Sequence, residues 1–257
     1  IFMRKWAVFA LVPLLLFSLA PIQQHDFTEI GEFNPAYRSA SQPAPFVLDS
    51  FESLNASDDS VVMSLNERNG KLAGCAQFSG TLNGLNQPGG TGATSNGGDD
   101  VVLFGWSTAS GYWSTVFGGT GTDVCNRVKW MDNTHVGIAG SFEQDINLGG
   151  DSHSSSGGKD AYFGVYNTTA QQWVDSLSIG TTAPDEFWSF APLSNGSVTL
   201  VGTTRGNLSS SMPSLDAPDC TPTPGNSTVC TFVTLVDASL QLTGITDLKS
   251  TGNVVAR

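Results

Sequence analysis

The sequence predicts an all-β protein, and three observations carry this prediction. Short runs alternate between apolar and polar residues, as in residues 126–131 and 160–166, which is the pattern of half-buried strands. Glycine, asparagine and aspartate separate these runs with turn signals, such as residues 132–134. The same order of features returns every 60 to 66 residues. No long amphipathic helical pattern follows the first 20 residues.

Landmark residues keep a nearly constant spacing along the chain. Glycines close an apolar run at Gly74, Gly140 and Gly202, and Trp113 and Trp173 lie 60 residues apart. Each unit contains four predicted strands. In the middle unit they are residues 126–131, 136–142, 160–166 and 172–179. A four-stranded unit of this size buries both of its faces only by stacking on its neighbours.

Radial stacking of such units predicts a β-propeller-like array of four-stranded antiparallel blades, with about three blades present in an incomplete ring. A β-sandwich and an open β-solenoid are the alternatives. The repeats are assigned to about residues 59–122, 123–184 and 185–257. An orphan strand at 46–53 is expected to complete a blade and remove a sheet edge; the alternative is a simple β-extension on the first blade. The chain is interpreted as a fragment that is open at its C-terminus.

Several short motifs recur within this array. They are Ala139-Gly140-Ser141-Phe142, residues 157–161 (GGKDA), Trp173, residues 118–123 (GGTGTD) and Asn195-Gly196. Over residues 46–257 this pattern resembles the SBBP-type β-propeller repeats of secreted bacterial and archaeal proteins. The resemblance implies a propeller fold and an exported protein, and it implies no shared catalytic residues. The third repeat departs from the pattern, because PDCTPTPGNSTVCTF replaces GGxDA, so its loop is expected to be remodelled.

The N-terminal region has the features of an exported protein. Residues 1–20 combine Met3-Arg4-Lys5 with an apolar run and are predicted to be a signal peptide, although a persistent short anchor is an alternative. Residues 21–45 form a Pro/Ser-rich linker before the repeat region at 46–257. No membrane span is expected apart from the leader. The net charge of −12 repels phosphate backbones and disfavours nucleic-acid binding.

The four cysteines predict at least one disulfide. Cys220 and Cys230 bracket a short proline-rich loop, and in an exported protein they are expected to pair. Cys75 and Cys125 either bridge two blades or remain as two buried thiols.

Charged and polar residues predict no firmly defined site. Glu143, Asp145 and Asp151 are weak Ca²⁺ candidates that lack a spaced ligand loop, and no other cofactor is expected. The periodic Asp100, Asp123, Asp160 and Asp185 are interpreted as structural turn residues. Five Asn-x-Ser/Thr sequons are glycosylation candidates: Asn55, Asn167, Asn195, Asn207 and Asn226.

Function is expected to be binding at the cell surface or outside the cell, with a carbohydrate or protein partner. The sequence contains no catalytic motif and no position where a nucleophile is placed beside a base, so the protein is predicted not to be an enzyme. The aromatic residues proposed for binding are Trp106, Tyr112, Trp130 and Trp188, whereas Trp113 and Trp173 are assigned to the core. The alternatives are an extracellular hydrolase or lyase with its catalytic residues in missing blades, and a purely structural surface or adhesion repeat.

Overall fold

The computed structural model describes residues 55–83, 92–107, 111–208 and 229–248. All of them belong to one compact unit, Leu54–Arg257. The predicted signal peptide, linker and orphan strand at 46–53 lie outside the described residues. Within the described ranges, no helix is long and apolar enough to cross a membrane.

The described chain is all-β, as predicted. Its strands are β1 (Asn55–Ala56), β2 (Ser60–Arg68), β3 (Lys71–Phe78), β4 (Thr81–Asn83), β5 (Ala93–Thr94), β6 (Asp100–Ser107), β7 (Gly111–Phe117), β8 (Asp123–Trp130), β9 (His135–Phe142), β10 (Asp145–Leu148), β11 (Asp151–Ser154), β12 (Asp160–Asn167), β13 (Gln172–Ile179), β14 (Asp185–Pro192), β15 (Val198–Thr204), β16 (Cys230–Val236) and β17 (Leu242–Asp247). The turn at residues 132–134 forms as expected, because Asp132 Oδ1 accepts hydrogen bonds from the backbone N–H groups of Thr134 and His135.

Three four-stranded antiparallel sheets form the body of the molecule, and we call them blades 1, 2 and 3. Blade 1 has the order β2-β3-β6-β7, blade 2 the order β8-β9-β12-β13, and blade 3 the order β14-β15-β16-β17. Two smaller sheets, β1-β4-β5 and β10-β11, lie outside the blades. Except for β1, which precedes blade 1, their strands come from the segments between second and third strands. Each blade lies inside one of the three sequence repeats, and the arrangement is propeller-like.

The first strand of every blade carries an irregularity at the same place. The pairing with the second strand skips Met63 in blade 1, Asn126 in blade 2 and Trp188 in blade 3. A bulge of this kind bends the strand and redirects the side chain of the skipped residue. Asn126 uses this position to donate a hydrogen bond from its side-chain amide to the Phe187 carbonyl of blade 3.

The strand pairing corrects the alignment of blade 1. Phe78, Phe142 and Thr204 pair with the first residue of the third strand in their blades, so the position of Gly140 and Gly202 is occupied by Ala76. Gly74 lies two residues earlier, and its use as the equivalent landmark was wrong. Strand β3 has a small residue both at Gly74 and at Ala76, so the sequence alone could not show which of the two is equivalent to Gly140 and Gly202.

Two apolar clusters hold the blades together. One lies between blades 1 and 2 and contains Trp113, Trp130 and Tyr166, with Trp113 and Tyr166 stacked at 5.7 Å between ring centroids. The other lies between blades 2 and 3, where the rings of Phe163 and Phe190 meet at 5.1 Å. Blade 2 therefore buries both of its faces against its neighbours, and blades 1 and 3 each bury the face that contacts blade 2, as stacking of the repeat predicts.

Candidate functional site

A hairpin that the sequence did not predict occupies the connection between the second and third strands of blade 2. Strands β10 and β11 pair from Asp145 with Ser154 to Leu148 with Asp151, inside a segment expected to be a loop. Ile146 and Leu148 are each 1% exposed and belong to the core cluster between blades 1 and 2. The hairpin is thus anchored by apolar burial.

The hairpin borders an open cleft of about 370 Å³ at the joint between blades 1 and 2. Its lining residues are Asp100, Thr115, Val116, Phe117, Gly118, Asn147, Gly149 and Trp173. The wall from blade 1 comes from β7, and the opposite wall comes from the hairpin and β13. The volume falls within the usual range of small-molecule sites.

Aromatic and polar groups share the cleft. Trp173 packs edge-on against Phe117 at 5.0 Å and against Tyr166 at 5.3 Å, which fixes the indole and confirms its packing between blades. The exposed side chain of Asn147 and the half-buried Thr115 add an amide and a hydroxyl. An aromatic wall beside hydrogen-bonding groups, which include the Asp100 carboxyl group, suits a polyhydroxylated ligand.

A second cluster lies where the hairpin meets β13. His153 Nε2 is 2.7 Å from Ser176 Oγ, and His153 Nδ1 is 3.2 Å from Ser178 Oγ. The Ser176 hydroxyl also lies 3.5 Å from Asp151 Oδ2. A serine hydroxyl within hydrogen-bond reach of an imidazole is the minimal geometry of nucleophile and base.

The electrostatic surroundings of His153 favour a neutral ring that remains able to accept a proton. Burial lowers the pKa of His153, and the carboxylates of Asp151 and Asp175 act in the opposite direction. Asp175 Oδ1 also accepts a hydrogen bond from the Ser176 N–H. With Nδ1–H donating to Ser178, Nε2 would be free to accept the Ser176 proton.

The sequence motifs indicated no hydroxyl group beside an imidazole, but the fold brings Ser176 within hydrogen-bond distance of His153. The absence of enzymatic activity stays a prediction. Ser176 and His153 are 23 residues apart in the chain, and they meet only because the hairpin folds over β13. No catalytic motif marks them, since neither lies in a recognised spacing.

The aromatic residues proposed for binding have different environments. Trp130 is 3% exposed and packs against Trp113, so its assignment to the surface was wrong. Trp188 is half-buried and donates from Nε1 to Thr203 Oγ1. Trp106 and Tyr112 are cross-strand partners with ring centroids 6.4 Å apart, and Tyr112 is 46% exposed. None of the four lines the cleft.

The Ca²⁺ candidates are not assembled into a ligand set. Asp145 and Asp151 lie at opposite ends of the hairpin. No group of three or more His, Cys, Asp or Glu residues in the described chain is arranged to hold a metal ion. The binding of Ca²⁺ by Glu143, Asp145 and Asp151 therefore has no geometric support here.

The sequons differ in accessibility. Asn195 is exposed beside the turn before β15, although its Oδ1 accepts from the Ser197 N–H. Asn167 is half-buried, and its Oδ1 accepts from the N–H groups of Thr169 and Ala170. Asn207 is half-buried, Asn55 lies in β1, and Asn226 is outside the described residues. Asn195 is the best-placed glycosylation candidate of those whose side chains are described.

Disulfide bonding links blades 1 and 2. Cys75 in β3 and Cys125 in β8 form a disulfide with Cα atoms 6.4 Å apart, so the alternative of two buried thiols is excluded. Cys230 is also disulfide-bonded. Its predicted partner, Cys220, lies outside the described residues.

Comparisons with known proteins identify no relative. No protein-family model matches the chain, and no curated protein matches it either. The resemblance to SBBP-type repeats therefore stays a prediction. Function must be argued from the cleft, the Ser176–His153 pair and the joints between blades.

Proposed function

We propose that the protein is a secreted or cell-surface β-propeller repeat protein of the SBBP type that binds a carbohydrate through the cleft between blades 1 and 2. The observation that carries the proposal is the combination of Trp173 and Phe117 with Asn147 and Thr115 around one open volume. Sugars present hydroxyl groups beside apolar C–H faces, so they suit a mixed lining of this kind.

Three further features support this proposal. The Cys75–Cys125 disulfide is typical of proteins that fold in an oxidising compartment. One wall of the cleft comes from the connection between second and third strands, which differs among the repeats while the flanking strands agree. Variable connections on a fixed scaffold are the usual place for recognition. The low content of charged residues, 13%, also fits a hydroxyl-rich extracellular surface.

A glycan array followed by calorimetry on the full chain tests the proposal. Thr115→Val removes one hydroxyl from the cleft and should weaken glycan binding about tenfold, the loss of one hydrogen bond in a binding site. Thr199→Val in β15 of blade 3 is the matched control and should leave affinity unchanged. Equal affinity of the two variants would contradict the proposed cleft, and absence of any glycan ligand would favour the purely structural function.

A second candidate function, hydrolysis of an ester or related acyl compound, is favoured by the 2.7 Å contact between Ser176 Oγ and His153 Nε2. The Ser176 oxygen would attack the acyl carbon while His153 takes its proton; the ester C–O bond would then break as His153 returns the proton to the departing alcohol, and water would release the acyl group from Ser176 in the same way. We rank this below binding, because serine hydroxyls contact both ring nitrogens and the same contacts attach the hairpin to β13.

Labelling with a fluorophosphonate probe separates the two candidates. A hydrolase would react at Ser176, and the reaction would disappear in Ser176→Ala and His153→Ala. Ser154→Ala, at an exposed serine of the same hairpin, is the control and should keep the labelling. No labelling of the folded protein would leave the Ser176–His153 contact as a structural attachment only.

A further inference from the structure

Four buried aspartates mark the two joints between blades. Asp100 and Asp123 lie at the joint of blades 1 and 2, and Asp160 and Asp185 lie at the joint of blades 2 and 3. Each is the first residue of its strand, and none is more than 4% exposed. Unpaired carboxylates are rarely buried so completely, so two such pairs at equivalent places require an explanation.

The same backbone contacts build both joints. The Asp123 N–H donates to the Asp99 carbonyl at 2.7 Å, and the Asp185 N–H donates to the Lys159 carbonyl at 2.7 Å. Each bond ties the first strand of one blade to the residue just before the third strand of the preceding blade. The carboxyl pairs therefore sit where neighbouring blades are attached to each other.

At the first joint one glycine lies against both carboxyl groups, and at the second joint the equivalent glycine lies against that of Asp160. A methyl group on Gly118 would lie 2.6 Å from Asp100 Oδ1 and 2.7 Å from Asp123 Oδ2, so both carboxyl groups border the same small volume. A methyl group on Gly180 would overlap the carboxyl group of Asp160. Only glycine is accommodated at these two positions without displacing a buried acid.

Each carboxyl group is satisfied on one oxygen and unsatisfied on the other. The Oδ2 atoms accept backbone N–H bonds from the residue four positions earlier: Asn96 to Asp100, Gly119 to Asp123, Ser156 to Asp160 and Thr181 to Asp185. The four Oδ1 atoms are buried and make no hydrogen bond of acceptable geometry within the described residues, although the Thr204 hydroxyl lies beside the Asp185 carboxyl group and favours its charged form. A buried acceptor without a donor is strongly unfavourable, more so when it is charged.

The groups that face these carboxyls add negative charge. Asp123 is affected by Asp100, Glu143 and Asp145, and its charge in turn acts on the buried hydroxyl of Tyr162. Asp100 is affected by Asp99, and Asp185 by Asp160. Burial is the main cause that raises the pKa of Asp123 to about 7 and those of Asp100 and Asp185 to about 6. The pKa of Asp160 is also raised, chiefly by burial.

We propose that each joint is a proton-binding site in which one proton is shared by the two carboxyl groups and locks adjacent blades together. The protonated acid becomes an O–H donor to its partner, so a buried oxygen gains a hydrogen bond and one of two like charges is removed. At the position of Asp100 and Asp160, blade 3 carries the disulfide-bonded Cys230. Blade 3 therefore lacks the aspartate that blades 1 and 2 contribute from this position, and the proposed proton-binding sites are those of the two described joints.

The direction of the pH effect follows from proton linkage. Because these aspartates bind protons more tightly in the folded than in the unfolded chain, stability is highest below about pH 4, the ordinary pKa of aspartate, and falls as the pH rises to about 7. Above about pH 7 both carboxyl groups of each pair are ionised, and the pairs cause no further fall in stability. The joints are thus firm in acidic surroundings and weaker at neutral pH.

Thermal unfolding of the full chain at about pH 4.5 and pH 7.5 tests the proposal. Asp123→Asn with Asp185→Asn supplies a permanent neutral donor at each joint, and we expect the double variant to lose most of the fall in Tm that the wild type shows between these pH values. Asp58→Asn makes the same change of charge at an exposed position and should keep the wild-type pH dependence. Carbon-13 NMR of the carboxyl groups, which needs no variant, should show aspartates titrating near pH 6 to 7.

Three results would overturn the proposal. One is a Tm for the double variant that is lowered equally at both pH values, which would mean a purely structural role for the carboxylates. Another is a set of NMR midpoints for all aspartates near pH 4. The third is a rise in Tm on adding CaCl₂ at pH 7.5 that is lost in the double variant, which would assign the pairs to a metal ion.

Discussion

The joint between blades 1 and 2 and the joint between blades 2 and 3 share one backbone design but differ in reinforcement. Both use an aspartate N–H bonded to the preceding blade, a buried carboxyl pair and a closely packed glycine. Only the first joint carries a disulfide among the described residues, Cys75–Cys125. The first joint also packs indole and phenol rings, whereas the second packs phenylalanines.

This difference separates what the fold requires from what has been added to one joint. The features present at both joints are those that any blade needs to attach to the next. The disulfide and the tryptophan cluster lie only at the joint that forms the cleft. We therefore expect the first joint to be the firmer one and the second joint to open first.

Removing the disulfide should cause the largest loss of stability among the changes that test this difference between the joints. Cys75→Ala with Cys125→Ala releases a link across 50 residues, and loop-entropy scaling predicts a loss of about 4 kcal/mol in the free energy of unfolding. Urea unfolding of the wild type and the double variant measures this loss. A change below about 1 kcal/mol would show that the disulfide does not reinforce the first joint.

Adding a methyl group at the joints should have the next largest effect. Gly180→Ala and Gly118→Ala force a methyl group against buried carboxyl groups, and overpacking of this kind costs about 1–3 kcal/mol. Gly180→Ala should be the more damaging of the two, because its methyl group overlaps the Asp160 carboxyl most closely. Gly244→Ala, which meets no atom within 4 Å, is the control and should leave the Tm nearly unchanged.

Deleting one hydrogen bond across each joint should have the smallest effect. The Asn66 Oδ1 accepts from the Trp130 N–H at the first joint, and the Asn126 amide donates to the Phe187 carbonyl at the second, both at 2.9 Å. Asn66→Ala and Asn126→Ala should each cost about 1 kcal/mol. Chemical denaturation measures both, with Asn133→Ala at an exposed turn as the control. A cost at Asn133 equal to that at Asn126 would contradict a specific role in the joint.

Much of the fold could be predicted from the sequence, and much of the site could not. Alternation and turn residues predicted the strands of blade 2 to within three residues at each end, because strand burial leaves a period of two in the chain. The hairpin β10–β11 was missed, since its four-residue strands lie among Gly, Ser and Asp. The pairing of Ser176 with His153 depends on that hairpin and leaves no local pattern.

The aspartates illustrate the same limit. Their recurrence at Asp100, Asp123, Asp160 and Asp185 was visible in the sequence and was interpreted as turn chemistry, and the bond from the N–H four residues earlier agrees with that. Their burial, their pairing across blades and their unsatisfied oxygens depend on how one repeat stacks on the next. A single repeat carries no such information.

Amide hydrogen exchange at Asp123 and Asp185 tests the central claim, that the two joints share one design and differ by the disulfide. The N–H groups of these residues are the bonds that attach one blade to the next, so their protection reports each joint separately. At fixed pH, the Cys75→Ala/Cys125→Ala variant, which keeps the disulfide of Cys230, should show lower protection of Asp123 than the wild type and unchanged protection of Asp185. Equal loss at both residues, or no loss at Asp123, would contradict the claim.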